Sequence, residues 1–152
     1  MKIQALAVAA ALALAACSST ASYWPGSWFG TSSSTARASQ QSLLGTSWVV
    51  TDLAGAPAPT DAVMTLNISS DEKINGRAAC NGYFGTAHIS RSSLRMSGIG
   101  STKMACAEPV MAAETQFLNA LNRTRSFSVS EADDRLHLMD SSGAELAVLK
   151  RN

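Results

Sequence analysis

Between residues 43 and 150 the apolar residues mostly fall at every second position, in short runs, and once, from Pro109 to Arg125, at helical spacing. No other feature constrains the fold as much. Alternation sends side chains to the two faces of a strand, whereas a 3.6-residue stripe sends them to one side of a helix. Residues 47–53 read as a strand with Trp48 and Val50 on one face. Residues 62–68 alternate, with Met64, Leu66 and Ile68 facing one way and Thr65 and Asn67 the other. Residues 74–80 begin a hairpin, with Asn81-Gly82 as its turn, because that dipeptide tolerates positive φ. Residues 83–89 form the return strand. Residues 92–96 and 101–106 add two short strands around Gly98 and Gly100. Residues 126–130, 135–139 and 145–150 complete the series, with Leu136, Leu138, Leu146 and Val148 facing the core. Loops and turns fall at 55–59, 69–72, Asp133-Asp134 and Ser142-Gly143.

The helix has its own signals. Pro109 suits the first helical position, where its missing N–H costs nothing. Glu108 and Glu114 lie in the N-terminal half and Arg123 and Arg125 at the other end, as the helix dipole favours. Val110, Phe117 and Leu121 make an apolar stripe with Met111 and Leu118 beside it. Many short strands with one helix predict a mainly β, α+β fold. It is a small, strongly curved antiparallel sheet or partly open barrel, with the helix covering its open side.

The first 42 residues are of another kind. Met1-Lys2 gives one positive charge, and residues 3–16 are uncharged and almost wholly Ala, Leu and Val. This is the layout of a secretory signal, too short for the roughly 20 apolar residues of a membrane span. It ends Leu14-Ala15-Ala16-Cys17, which resembles the bacterial lipobox. The resemblance implies cleavage before Cys17, a lipid on its sulfur and acylation of its amine. Ser18 then implies the periplasmic face of the outer membrane wherever sorting reads that residue. The alternative is an ordinary signal peptide with Cys17 a free thiol. Residues 17–42 are rich in Ser, Thr and Ala and read as a flexible tether. Within it, Tyr23, Trp24, Trp28 and Phe29 form either an interfacial foot or a segment packed on the domain. Residues 43–152 are one domain.

Residues 1–16 contain Lys2 and no acid, so residues 17–152 carry one fewer than the chain's 12 basic residues against all 11 acidic ones. Such neutrality argues against a nucleic-acid partner, whose phosphates need a basic face. It argues equally against an electrostatic membrane anchor and leaves anchoring to the lipid.

Four stretches together are similar to the META domain, the HslJ-like family. They are Leu44-Gly45-Thr46-Ser47-Trp48, residues 76–85 (GRAACNGYFG), residues 101–106 (STKMAC) and residues 114–121 (ETQFLNAL). The resemblance covers about residues 42–150 and carries the family positions Trp48, Asn81, Gly82 and Met104. It implies a small β-rich domain with one helix, found in bacterial envelope lipoproteins and linked to heat shock and antibiotic tolerance. It attaches no enzymatic activity and no cofactor. Its fold is said to resemble lipid-binding pilot proteins of secretion systems. Ala79 stands where the family more often has Gly.

With Cys17 taken by lipid, Cys80 and Cys106 remain, and an exported chain meets an oxidising compartment. They are expected to form one disulfide, contributing roughly 3 kcal/mol by constraining the unfolded chain. The alternative is two separate thiols, one of them buried. Weaker readings are a cysteine nucleophile with His88 or His137 as base, and a zinc site from the same residues, whose spacing lacks a short ligand pair. Ser70 and Lys73 match a Ser-x-x-Lys string, here a polar turn. Glu131, Asp133 and Asp134 are expected to be solvated. No metal and no catalytic residue is assigned.

Three functions compete. The first is a non-enzymatic, lipid-anchored module that binds an unknown envelope protein. The second is a carrier of small hydrophobic or lipid ligands in a barrel cavity lined by Met64, Leu66, Met96, Met104, Phe117 and Leu136. The third is an enzyme using His88 or His137.

Overall fold

The computed structural model describes residues 42–152. The expectations for the signal, for Cys17 and for the aromatic stretch lie outside the described residues. Among the described residues nine strands and one helix run in the order β1 (Thr46–Leu53), β2 (Ala56–Pro57), β3 (Thr65–Ile68), β4 (Lys73–Ala78), β5 (Asn81–Ser90), β6 (Ser93–Ser101), α1 (Glu108–Arg123), β7 (Ser126–Ser130), β8 (Arg135–Met139) and β9 (Glu145–Arg151). All pairings are antiparallel. Sequential neighbours pair from β3 to β9, and β1 lies between β3 and β9. The sheet therefore closes into an eight-stranded barrel, and β2 only extends one end of β1. Closure goes beyond the partly open barrel that the pattern allowed.

The alternating residues fill the interior. Trp48, Met64, Leu66, Ile68, Ile74, Leu94, Leu136, Leu138 and Leu149 have less than 2 % of their surface exposed. Phe117 and Leu121 enter from α1. The Phe117 ring meets Tyr83 edge-on at 5.8 Å between centroids, a favoured aromatic geometry. The Tyr83 hydroxyl donates to the Thr65 carbonyl at 2.8 Å, and burial pushes its phenol above the usual range. Gly76 lets β4 approach β3 closely, since a Cβ there would lie 2.2 Å from the Thr65 oxygen.

Helix α1 closes the barrel end where β1 finishes. Near Leu53, Ala54 and Leu146 it leaves a small cleft of about 220 Å³. At the opposite end the Arg151 guanidinium sits over the Trp48 ring, 4.5 Å from its centroid. The Asn152 N–H also donates to the Ser47 carbonyl there. The described chain thus enters and leaves by the end away from the helix. The thinnest seam lies between β6 and β7, whose register holds one pair, Ser93↔Ser126. Leu94 N–H to Arg125 O and Phe127 N–H to Ser92 O flank it.

Four local expectations need correction. The β4–β5 turn is Ala79-Cys80, not Asn81-Gly82, because Ala78 pairs with Asn81. Only the first turn residue, Ala79, has positive φ (68°), the type II′ arrangement that favours glycine. Asn81 stays in the strand because its side chain is needed inward. Residues 92–96 and 101–106 are not two strands: β6 runs unbroken through Gly98 and Gly100, and residues 102–107 form no strand. In β9 it is Ala147 and Leu149 that oppose Leu138 and Leu136. Val148 opposes the outward His137, and Leu146 reaches the core only past the irregularity at Leu138/Met139. Residues 55–59 are not all loop, since Ala56–Pro57 pair with β1.

Candidate functional site

Residues 101–106 lead from β6 to α1 without a ladder partner beyond Ser101, yet their backbone is held firmly. The holder is Asn81, at the start of β5, with 1 % of its surface exposed. Its Oδ1 accepts from the Met104 N–H at 2.7 Å and from Thr102 Oγ1 at 2.7 Å. Its Nδ2 donates to the Met104 carbonyl at 3.1 Å. One side-chain amide thus meets both backbone groups of Met104, as a strand neighbour would. The Thr102 N–H donates to the Gly82 carbonyl at 3.0 Å.

A third element braces Asn81. Glu114, in α1, is 6 % exposed. Its Oε2 accepts from the Asn81 N–H at 2.7 Å and its Oε1 from Asn81 Nδ2 at 2.9 Å. Both carboxylate oxygens are engaged, so burial leaves no orphaned acceptor. No buried side-chain polar atom among the described residues lacks a partner. The Cys80–Cys106 disulfide, 6.1 Å between Cα atoms, ties the β4–β5 turn to the residue two before the helix. Strand, connecting segment and helix are thereby joined covalently and by buried hydrogen bonds within a few residues.

This clamp builds one wall of a groove of about 510 Å³ between residues 101–105 and the exposed side of α1. Met111, Thr115 and Leu118 contribute from the helix, and Lys103 and Met104 from the segment. Met104 is 56 % exposed. It lines this outer groove rather than the barrel interior, which corrects its expected place among cavity-lining residues. Met64, Leu66, Met96, Phe117 and Leu136 are buried in the core.

The other expected residues are scattered. Trp48 is inside the barrel, its Nε1 donating to Thr46 Oγ1. Gly82 lies on the outer side of β5, opposite Arg77. His88 Nε2 is 2.9 Å from Ser97 Oγ, and His137 Nδ1 is 2.7 Å from Glu145 Oε2. Neither histidine faces a free thiol, because both described cysteines are bonded to each other. Asp133 and Asp134 pair with Arg135 and Arg151. Among the described residues no group of three or more His, Cys, Asp or Glu is placed to hold a metal. No helix among them is long and apolar enough to cross a membrane.

Sequence reasoning missed Glu114, taking it for a charge near the helix start. Its signal was available: Val110, Glu114, Phe117 and Leu121 share one helical stripe, so the carboxylate had to face inward.

The arrangement is one of positioning. It fixes an exposed methionine and a lysine beside a groove and holds no activated nucleophile. Known proteins bear on this. No protein of curated description matches the chain. Solved structures do. An NMR structure of a protein from Burkholderia xenovorans is 27 % identical, with a TM-score of 0.64, over 74 % of this chain and 86 % of that one. A second NMR structure (19 % identical, TM-score 0.59) covers 73 % of this chain and 92 % of its own. A DUF4847 family protein from Bacteroides vulgatus (15 % identical, TM-score 0.57) covers 74 % and 96 %. These last two share the fold. The META domain model matches residues 41–152, from just before β1 to the last residue, and the chain belongs to the META domain family.

Proposed function

We propose that the protein is a non-enzymatic, lipid-anchored envelope protein whose META domain binds an envelope component during stress or antibiotic challenge. Residues 1–16 direct export, and lipid on Cys17 holds the chain at the membrane, on the periplasmic face of the outer membrane. The observation that carries the binding role is the clamp. Asn81, Glu114 and a disulfide converge on a segment with no ladder partner, and that segment bears the exposed Met104. A backbone already held at a fixed place needs no further ordering on binding, and the methionine side chain it presents adapts to varied apolar partners. The packed interior speaks against the carrier reading, since large side chains occupy the space a guest would need.

Photo-crosslinking tests the role. A photoreactive methionine analogue at Met104, in the full lipidated chain in its own membrane, is expected to trap one dominant partner. Leu118→Arg, which charges the facing wall, is expected to abolish the crosslink. A crosslink pattern indifferent to that change refutes the groove as the binding site. Intact-mass analysis of the native protein tests the anchor separately, and an unmodified sulfur on Cys17 refutes it.

A further inference from the structure

The overall charge balance hides a segregation. From Lys73 to Ala107 the sequence holds no Asp or Glu, and five cations: Lys73, Arg77, Arg91, Arg95 and Lys103. The fold makes this stretch one continuous surface, because β4, β5 and β6 are adjacent strands. Buried Ile74, Ala78, Tyr83, Ala87, Leu94 and Met96 turn inward, so the alternate residues face outward. All five cations are exposed. Among the described residues, the ion pairs of Asp and Glu with Arg or His involve Arg123, Arg135, Arg151 and His137, none of them on this face. Lys73 follows Asp71 and Glu72 of the preceding turn, and Lys103 shares the groove with the buried Glu114. His88, opposite Arg95, adds an imidazole.

An aromatic stands in the middle of these charges. Phe84 is 64 % exposed, and its cross-strand neighbours are Asn75 on β4 and Gly100 on β6. Gly100 gives the ring room: a Cβ there would come within 2.7 Å of the Phe84 Cζ. Gly82, Thr86 and Ser97 surround it with short side chains. The ring therefore lies over Gly100 with most of its surface open, on a low, cationic face. A phenyl group flanked by Arg77 and Lys73, with Arg95 farther along the face, matches a membrane interface, where phosphates meet the cations and the ring meets the acyl boundary. Arg77 Nε donates to the Ala79 carbonyl at 2.9 Å, and a guanidinium has further donors for a phosphate. A polyanion without exposed bases would use the cations and leave Phe84 in water, and the chain's overall neutrality argues against a single-stranded nucleic acid, whose bases could stack on the ring.

We infer that the outer face of β4–β5–β6 docks on an anionic lipid bilayer, with Phe84 inserted and Lys73, Arg77, Arg91 and Arg95 against lipid phosphates. The lipid on Cys17 would tether the chain, and this face would orient the barrel against the leaflet. The inference extends the anchored reading, but its test does not need the anchor.

The test uses the full chain carrying Cys17→Ser, which removes the acylation site. Co-sedimentation is measured with neutral phosphatidylcholine vesicles and with vesicles that also contain phosphatidylglycerol. Neutral vesicles report the apolar run of residues 3–16, common to every variant. Binding to anionic vesicles is expected to be at least about tenfold tighter and to fall towards the neutral level in high salt. Arg77→Gln with Arg95→Gln is expected to remove about tenfold of that binding, and Phe84→Ser several-fold. Arg123→Gln, on the ion-paired side, is expected to change nothing. Near-ultraviolet circular dichroism confirms that each variant is folded, and Lys73→Gln with Arg91→Gln replaces any that is not. Equal binding to the two vesicle types overturns the inference, as does loss of binding in Arg123→Gln alone. Competition by duplex DNA or polyglutamate that matches anionic vesicles charge for charge, together with an indifferent Phe84→Ser, also overturns it and assigns the face to a soluble polyanion. If Cys17 proves unacylated while these results hold, the anchored reading fails and the docking face stands.

Discussion

The two halves of the barrel wall share one architecture and differ in what their charges do. Around β8, β9 and β1 the arginines turn to the protein's own carboxylates: Arg135 to Asp133 and Asp52, and Arg151 to Asp134. Nearby, Arg123 of α1 reaches Asp140 after β8. Around β4, β5 and β6, Arg77, Arg91 and Arg95 belong to none of these pairs, and the half is held by the disulfide and the buried Asn81–Glu114 bonds. The difference teaches that stability and surface charge have been separated. Where cohesion is covalent and buried, the exposed cations are available to something outside.

This contrast can be broken by measurement. The largest effect is expected from Cys80→Ser with Cys106→Ser, about 3 kcal/mol lost in a denaturant titration, because the bridge closes a long loop. A loss below about 1 kcal/mol would show that the bridge contributes little to the cohesion of this half. Asn81→Ala is expected to cost about 2 kcal/mol, since it leaves Glu114 without its side-chain donor and Met104 without either partner. It should also raise amide exchange at residues 102–105. Arg151→Ala is expected to cost about 1 kcal/mol through its place over Trp48, whereas Arg95→Gln should stay within about 0.5 kcal/mol. Equal costs for the two arginines would erase the contrast. The smallest effect concerns acid. Bonds from the Ser142 hydroxyl and N–H, then from Ala144 N–H and Arg123, hold the Asp140 carboxyl down to about 2. A lowered folded value means a contribution present above the ordinary carboxylate range and lost as pH falls through about 2. Asp140→Asn should therefore flatten the stability curve between about pH 4 and pH 2. An unchanged curve would place the acid sensitivity elsewhere.

Much of the fold was legible because strands of a half-buried sheet alternate. Trp48, Met64, Leu66, Ile68, Leu136 and Leu138 could face only inward, and Pro109 marked the helix start within a residue. What misled was local chemistry overridden by tertiary need. Asn81-Gly82 is a good turn dipeptide, yet Asn81 has a larger task in bonding Met104 and Glu114. The turn moved to Ala79-Cys80, where Ala79 bears the positive φ and Cys80 can reach Cys106. In β9 four consecutive residues, Leu146 to Leu149, are buried, so alternation gave no way to choose a face. The candidate site was half legible. Asn81, Met104 and both cysteines were singled out, but their convergence with Glu114 depends on how the helix docks, and no spacing encodes that.

The pairing of β9 with β1 has a consequence at high protein concentration. An open sheet offers a row of unsatisfied N–H and C=O groups to the next molecule, and crowding favours end-to-end strand exchange. Here the last strand returns to the first through five register pairs. Neighbouring copies can therefore crowd together without the first and last strands of the barrel offering a free edge to each other.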